Sequence, residues 1–340
     1  MLFPYKYINH DMEKMQKYMD YIFFQVWMKA KYYDEFDLSL FNKNKDLKEI
    51  IFYFYYGDTS PSYGKKFVQI VMNIFEIFKS LNSYHLKLLK KWYISNNNIK
   101  EICRGKKKPI RYQDIFFNTD LRDELKSLYT VLYEQNYLGL KEIKNHYKDF
   151  CLENNKKICP FCGLSKMKCD LHSKREAYDH YLPQEKYPFN TINFLNLVPA
   201  CHDCNSSYKL RKDPLFFNDI LKRKAYYPYR KNHIPINISI EIDKHTNDVN
   251  INFDTPEFEE IETWQEIYGI QERYRAICDF SDEGGSWIED VRIYVDGGKG
   301  GFDDYVEYTE HLFQQHSNPY HERRFLKVPF LKACKDAGII

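Results

Sequence analysis

Four cysteines stand in two pairs, Cys159/Cys162 and Cys201/Cys204, each pair spaced by two residues. Two Cys-x-x-Cys knuckles are the spacing with which four thiolates close a tetrahedral zinc site. A second set of residues lies between and just beyond them: Asp179-His180, Asn196, and Asn205 immediately after the second knuckle. Its chemistry is of another kind. Phosphodiester hydrolysis needs a water deprotonated near neutral pH, positive charge beside the transition state, and help for the departing oxygen. A histidine, with an ordinary pKa of about 6.5, is the natural base, and a divalent cation supplies the other two requirements. Asp179 offers a hard carboxylate ligand suited to Mg²⁺ or Mn²⁺. Neighbouring side chains of a strand point to opposite faces, so Asp179 and His180 serve one site only across a twisted or bulged backbone.

Asp179-His180-Tyr181-Leu182-Pro183, then Asn196-Leu197-Val198-Pro199-Ala200-Cys201, then Cys204-Asn205 and Lys209 resemble the HNH endonucleases, over roughly residues 141–231. The resemblance implies a ββα-metal finger, with the first motif on one strand, the middle Asn ahead of the second strand, and the third motif opening a helix. It further implies His180 as general base, Asp179 as a ligand of the catalytic metal, and Asn196 as a brace that orients the base. Asn205, in place of the third His of the family name, is implied as the second ligand. An amide is a neutral oxygen donor and suits Mg²⁺ or Mn²⁺ rather than zinc. Two metals are therefore expected, a structural Zn²⁺ on the four cysteines and a catalytic Mg²⁺ or Mn²⁺ at Asp179 and Asn205.

The activity so implied is endonuclease cleavage of DNA, and restriction or antiphage defence is the setting that goes with it. Lys174, Arg175, Lys209, Arg211 and Lys212 are the basic residues expected to line the path of the duplex. Two other readings stand beside this one. A nucleic-acid-binding zinc module without catalysis would use the knuckles and basic residues but would have no need of Asp179, His180 and Asn205. A nuclease held inactive by a regulatory protein would use residues 1–140 as the docking surface. Double-strand cleavage with one site per chain implies a homodimer.

The elements that must position these residues read as an α+β protein in three parts: a helical domain over 1–140, the zinc-stapled nuclease module over 141–231, and an acidic hairpin with helices over 232–340. Met12, Met15, Met19, Ile22, Phe23, Val26 and Trp27 recur at helical spacing, as do Phe67, Ile70, Val71, Ile74, Phe75 and Phe78. A further helix is predicted from Asp120 to about Phe150, through Leu121, Leu125, Leu128, Leu132, Leu138 and Ile143, leading into the first knuckle. Ile236, Ile238, Ile240 and Ile242, then Val249, Ile251 and Phe253, alternate with other residues around Lys244-His245-Thr246-Asn247-Asp248, which predicts a hairpin. An acidic helix follows Pro256 and is expected to be broken by Gly284-Gly285. Gly297-Gly298-Lys299-Gly300-Gly301 lacks the ending of a phosphate loop and reads as a turn.

The chain has 340 residues, a formal net charge of +2 and 44% hydrophobic residues, enough for a sizeable core. The small net charge hides a segregation. Residues 1–231 carry 40 basic and 26 acidic side chains (+14), while 232–340 carry 10 and 22 (−12). A basic body suits a polyanion, and the acidic residues, among them Glu259, Glu260 and Glu262, are expected to face away from it. Arg104-Gly105-Lys106-Lys107-Lys108-Pro109 forms a compact basic loop. The longest apolar runs fall short of the roughly 20 residues a membrane span needs. No signal segment opens the sequence, and the nine cysteines favour thiolate-metal chemistry in a reducing cytoplasm over disulfides. Cys103, Cys151, Cys169, Cys278 and Cys334 have no metal spacing and are expected in the core. His202 is superfluous to a four-thiolate site.

Overall fold

The computed structural model describes residues 1–134, 140–169, 172–315 and 320–340, and its fold is α+β. The first helical region is irregular. A 3₁₀ turn at Asp11–Glu13 leads into α1 (Lys14–Tyr21), then a π turn at Ile22–Val26 and a 3₁₀ stretch at Trp27–Tyr32. Helices α2 (Lys45–Tyr56), α3 (Ser62–Ser80), α4 (Ser83–Asn96) and α5 (Ile99–Cys103) follow. Asparagines start three of them: Asn44, Asn82 and Asn98 accept the orphan N–H groups of Leu47, His85 and Glu101. On α3 the predicted stripe from Phe67 to Phe78 is buried, because its three- and four-residue spacing puts those side chains on one face.

Helices α6 (Thr119–Glu134) and α7 (Leu140–Glu153) occupy the region predicted as one helix. Leu138 and the side chain of Ile143 lie outside the described residues. Three small antiparallel pairs then follow: β1 (Tyr178–His180) with β2 (Leu197–Pro199), β3 (Phe216–Phe217) with β4 (Leu221–Lys222), and β5 (Asn237–Ile242) with β6 (Val249–Asp254). The last is the predicted hairpin.

The C-terminal helices are α8 (Phe258–Tyr268), α9 (Ile270–Ile277), α10 (Glu283–Asp296), α11 (Phe302–Gln315) and α12 (Arg324–Asp336). The expected break at Gly284-Gly285 is found elsewhere. Those glycines lie in the first turn of α10, and the acidic stretch divides at Gly269, which adopts the left-handed conformation (φ 57°) that ends α8. A side chain at Gly269 would also overlap the ring of Tyr208.

Buried apolar side chains from Met1 to Cys334 belong to one core. One connection matters most to the site. Phe189, in the loop between β1 and β2, has φ 79°, a conformation bulky residues avoid, and it is held there by burial against Phe23 and Tyr93 of the N-terminal helices. No helix among the described residues is long and apolar enough to cross a membrane.

Candidate metal centre and active site

The four knuckle sulfurs converge. The Sγ atoms of Cys159, Cys162, Cys201 and Cys204 all lie within 4.8 Å of one another and all four residues are buried. Cys162 and Cys201 are 3.9 Å apart. Zinc–sulfur bonds of about 2.3 Å place tetrahedral sulfurs about 3.8 Å apart, so this donor set fits a zinc ion. Backbone N–H groups of Leu164 and Cys204 point at Cys162 and Cys201 sulfurs at 3.4 and 3.5 Å. Arg273 of α9 donates to Cys204 Sγ at 3.3 Å, placing a positive charge where four thiolates would gather negative charge. Burial opposes ionisation of the Cys162 thiol, but hydrogen bonds from the other three cysteines and the Arg273 charge carry it well below its ordinary pKa. His202 is exposed and stands outside the group.

The C-terminal helices wrap this centre. Trp264 Nε1 donates to Phe161 O at 2.6 Å, and Tyr274 Oη donates to Cys162 O at 2.8 Å. Gly163 has φ 70°, and an added Cβ would overlap Leu2 and the Phe325 ring, so segments from both ends of the sequence close over the first knuckle.

The second set of residues is arranged around β1, β2 and a π-helical turn at Asp203–Lys209. The third motif therefore lies at the start of a helix, of π rather than α type. Asp179 and His180 reach different neighbours, as alternation along a strand requires. Asp179 Oδ1 accepts from Lys209 Nζ at 2.8 Å, and the same ammonium donates to His180 O at 2.8 Å. The His180 ring turns to the β1–β2 loop, where Nε2 lies 2.9 Å from Thr191 O. A carbonyl can only accept, so Nε2 carries the proton and the lone pair of the neutral ring is on Nδ1.

Burial dominates the electrostatics. Asp179 is 4% exposed and His180 9%. Burial pushes the Asp179 carboxyl above its ordinary pKa, with Lys209 pulling it back, and drives His180 down to about 3. Asn196 is fully buried. Its Oδ1 accepts from Leu182 N at 2.8 Å and its Nδ2 donates to Leu182 O at 3.1 Å, tying the end of β1 to the start of β2. Asn205 is half-buried, with its backbone N–H on Cys201 O at 3.0 Å. Asp179 Oδ2 is a buried carboxylate oxygen with no hydrogen-bond partner, an atom that suits a hard cation.

Several expectations about charge are corrected here. Lys209, expected on the DNA path, is 1% exposed and serves as the internal counter-ion of Asp179. Arg211 pairs with Glu185 at 3.1 Å, and Lys212 donates to Glu266 O at 3.0 Å. Lys174 and Arg175 are exposed, with Arg175 over the Tyr178 ring. The acidic C-terminal residues do not all face away. Glu257, Glu259 and Glu266 meet Arg230, Lys224 and Arg223 at 2.7–2.8 Å, so α8 and the residue before it neutralise part of the basic body. His146, near the motif in sequence, is buried, with Nδ1 hydrogen-bonded to Tyr178 Oη.

No family model and no solved structure matches the chain. Two curated proteins match in part. Protein ea31 of Escherichia phage lambda is 37% identical over 98 residues, 29% of this chain and 29% of that protein. Septu protein PtuB of Bacillus thuringiensis is 31% identical over 75 residues, 21% of this chain and 28% of PtuB. The chain thus spans less than a third of the length of either relative.

Proposed function

We propose that this chain is a metal-dependent endonuclease of the HNH type, hydrolysing phosphodiester bonds in DNA in the conflict between phage and host. The observation that carries the reading is the His180–Thr191 hydrogen bond, which fixes a neutral imidazole with its lone pair on Nδ1, while the preceding residue, Asp179, keeps one carboxylate oxygen without a hydrogen-bond partner. His180 takes the proton of the attacking water at Nδ1. Asn196 holds the loop so that this nitrogen keeps its position, and Lys209 holds Asp179 in its rotamer. Asp179 Oδ2 and Asn205 would hold Mg²⁺ or Mn²⁺, which supplies charge stabilisation at the phosphorus and the departing oxygen. The partial similarity to a phage protein and to a Septu protein supports the setting.

A second reading is favoured by the burial of Asp179 and His180. Asp179 and His180, at 4% and 9% exposed, are too enclosed for a phosphodiester to reach, so on this reading the arrangement is a resting one and the site opens before it acts. A regulatory partner that controls this opening fits the reading of a nuclease held inactive.

The test is incubation of supercoiled plasmid with the purified chain and Mg²⁺ or Mn²⁺. Nicking or linearisation is expected, and His180→Ala should lower the rate by about 10²–10⁴-fold while zinc content stays constant. Equal cleavage by His180→Ala sinks the assignment of the base. Absence of cleavage by the unaltered chain moves the partner-held reading ahead.

A further inference from the structure

The residues expected to contact DNA near the motif are largely compensated, but another basic surface is not. A groove of about 630 Å³ lies between α4 and the loop after α5, with Lys87, Lys90, Lys91, Lys106, Lys107 and Lys108 along it and no carboxylate in its lining. Among the described residues none of these six lysines forms an ion pair. Lys87, Lys90 and Lys91 share one face of α4 by their three- and four-residue spacing, and the Lys106–Lys108 run is the basic loop noted in the sequence. Six uncompensated ammonium groups around one groove call for a polyanion.

The rings beside the groove narrow the choice. Trp92 lines it and packs against Phe117 at 6.0 Å; Phe117 stacks on His85 at 4.1 Å and 6°, and His85 meets Tyr84 at 5.5 Å. At the ends of this ladder Tyr84 is 69% exposed and Phe116, against Phe117, is 80% exposed. Exposed aromatic faces beside a lysine groove are what unpaired bases stack on while the backbone follows the charge. A duplex keeps its bases inside, and a peptide of Asp and Glu alone has no ring to stack. Ile110 of the groove lining is tied to the loop of the candidate active site by Asn96. Asn96, at the end of α4, accepts from Ile110 N at 2.9 Å on the groove wall, and its Nδ2 donates to Ile110 O and to Pro188 O at 2.7 and 2.9 Å. Pro188 belongs to the loop that carries Thr191, the partner of His180.

We propose that this groove binds single-stranded nucleic acid, with the lysines on phosphates and Tyr84 and Phe116 stacking on bases. The proposal rests on the nuclease reading, for which it names the form of the substrate.

Binding is measured by fluorescence anisotropy with labelled 12-nucleotide single strands of DNA and RNA and the matching duplex, without added Mg²⁺ or Mn²⁺. The unaltered chain should prefer a single strand. Combined Lys87→Ala, Lys90→Ala and Lys91→Ala should lower the slope of log affinity against log salt by about 2, at roughly 0.7 per lost phosphate contact. Combined Tyr84→Ala and Phe116→Ala should weaken single-strand binding by about thirtyfold or more with the slope unchanged. A preference for duplex, no binding at low salt, or wild-type affinity in both variants overturns the proposal. Single-strand binding with these responses but no cleavage of any substrate would leave the groove standing without an active nuclease in the isolated chain. Plasmid cleavage with unaltered binding in the groove variants would do the reverse.

Discussion

The cysteine cluster and the Asp179–His180 cluster lie in one module, and both bury polar groups, yet they neutralise their charge in opposite ways. Around the sulfurs the chain supplies two N–H donors and one arginine, leaving four converging donors that only a cation can complete. Around Asp179 the chain supplies the cation itself, the Lys209 ammonium, and leaves one carboxylate oxygen over. The first arrangement is positioned to take a metal ion, whereas the second has its counter-ion within the chain. The difference teaches that ligand-like residues near a knuckle need not report a site of the same kind. A buried lysine can hold a carboxylate in place while a second oxygen remains for chemistry.

The comparison breaks most visibly on the cysteine side. Cys159→Ser or Cys201→Ser should lose zinc and unfold the module, because structural zinc binding contributes about 10–16 kcal/mol in small zinc domains. Elemental analysis should find one zinc per unaltered chain, with near-UV circular dichroism collapsing on chelation. Native tertiary signal in a zinc-free protein would remove the contrast.

On the other side, Lys209→Met should destabilise the fold by roughly 3–5 kcal/mol in urea unfolding, since it strands the Asp179 charge in the interior. Adding Asp179→Asn should restore most of that loss. If the double variant is no better than the single one, the pair is not the counter-ion system described here.

Acid sharpens the comparison from beneath β1, where His146 is bonded to Tyr178. Burial, and then the charge of His10, depress His146 to about 4. The unfolded chain binds this proton below about 6.5 and the folded chain only below about 4, so stability is full above pH 6.5 and declines as pH falls through that window, by up to about 3 kcal/mol. His146→Gln should flatten the decline in a pH series of thermal unfolding, whereas an unchanged profile would assign it to other groups.

The smallest effect concerns α8. Glu266→Gln should alter stability by about 1 kcal/mol or less, because the carboxylate is partly exposed. It also removes the negative charge opposite Arg223, so nucleic-acid affinity at low salt should rise modestly in an anisotropy titration. A fall in affinity would mean that the acidic helix contributes to binding rather than restraining it.

The zinc knuckles, the hairpin over 237–254 and the α3 stripe were legible in the sequence, because each is set by short-range spacing: two residues between thiols, two per strand period, 3.6 per helical turn. Such patterns survive whatever the rest of the chain does. The inward turn of Lys209, the pairing of α8 with the basic body, the shift of the helix break to Gly269 and the aromatic ladder beside the lysine groove had no such signal. Lysine spacing is identical for a solvated face and a buried counter-ion, and only the partner, Asp179, 30 residues away, decides between them. Likewise the net charges of +14 and −12 do not say whether the two parts dock or stand apart in solvent, which depends on the core that brings Phe161, Trp264 and Tyr274 together over the sulfurs. Residue types and spacing determined which groups can do chemistry. Tertiary packing decided which of them are desolvated, which are neutralised from within and which remain open, because burial and long-range pairing set the free energy of a charge.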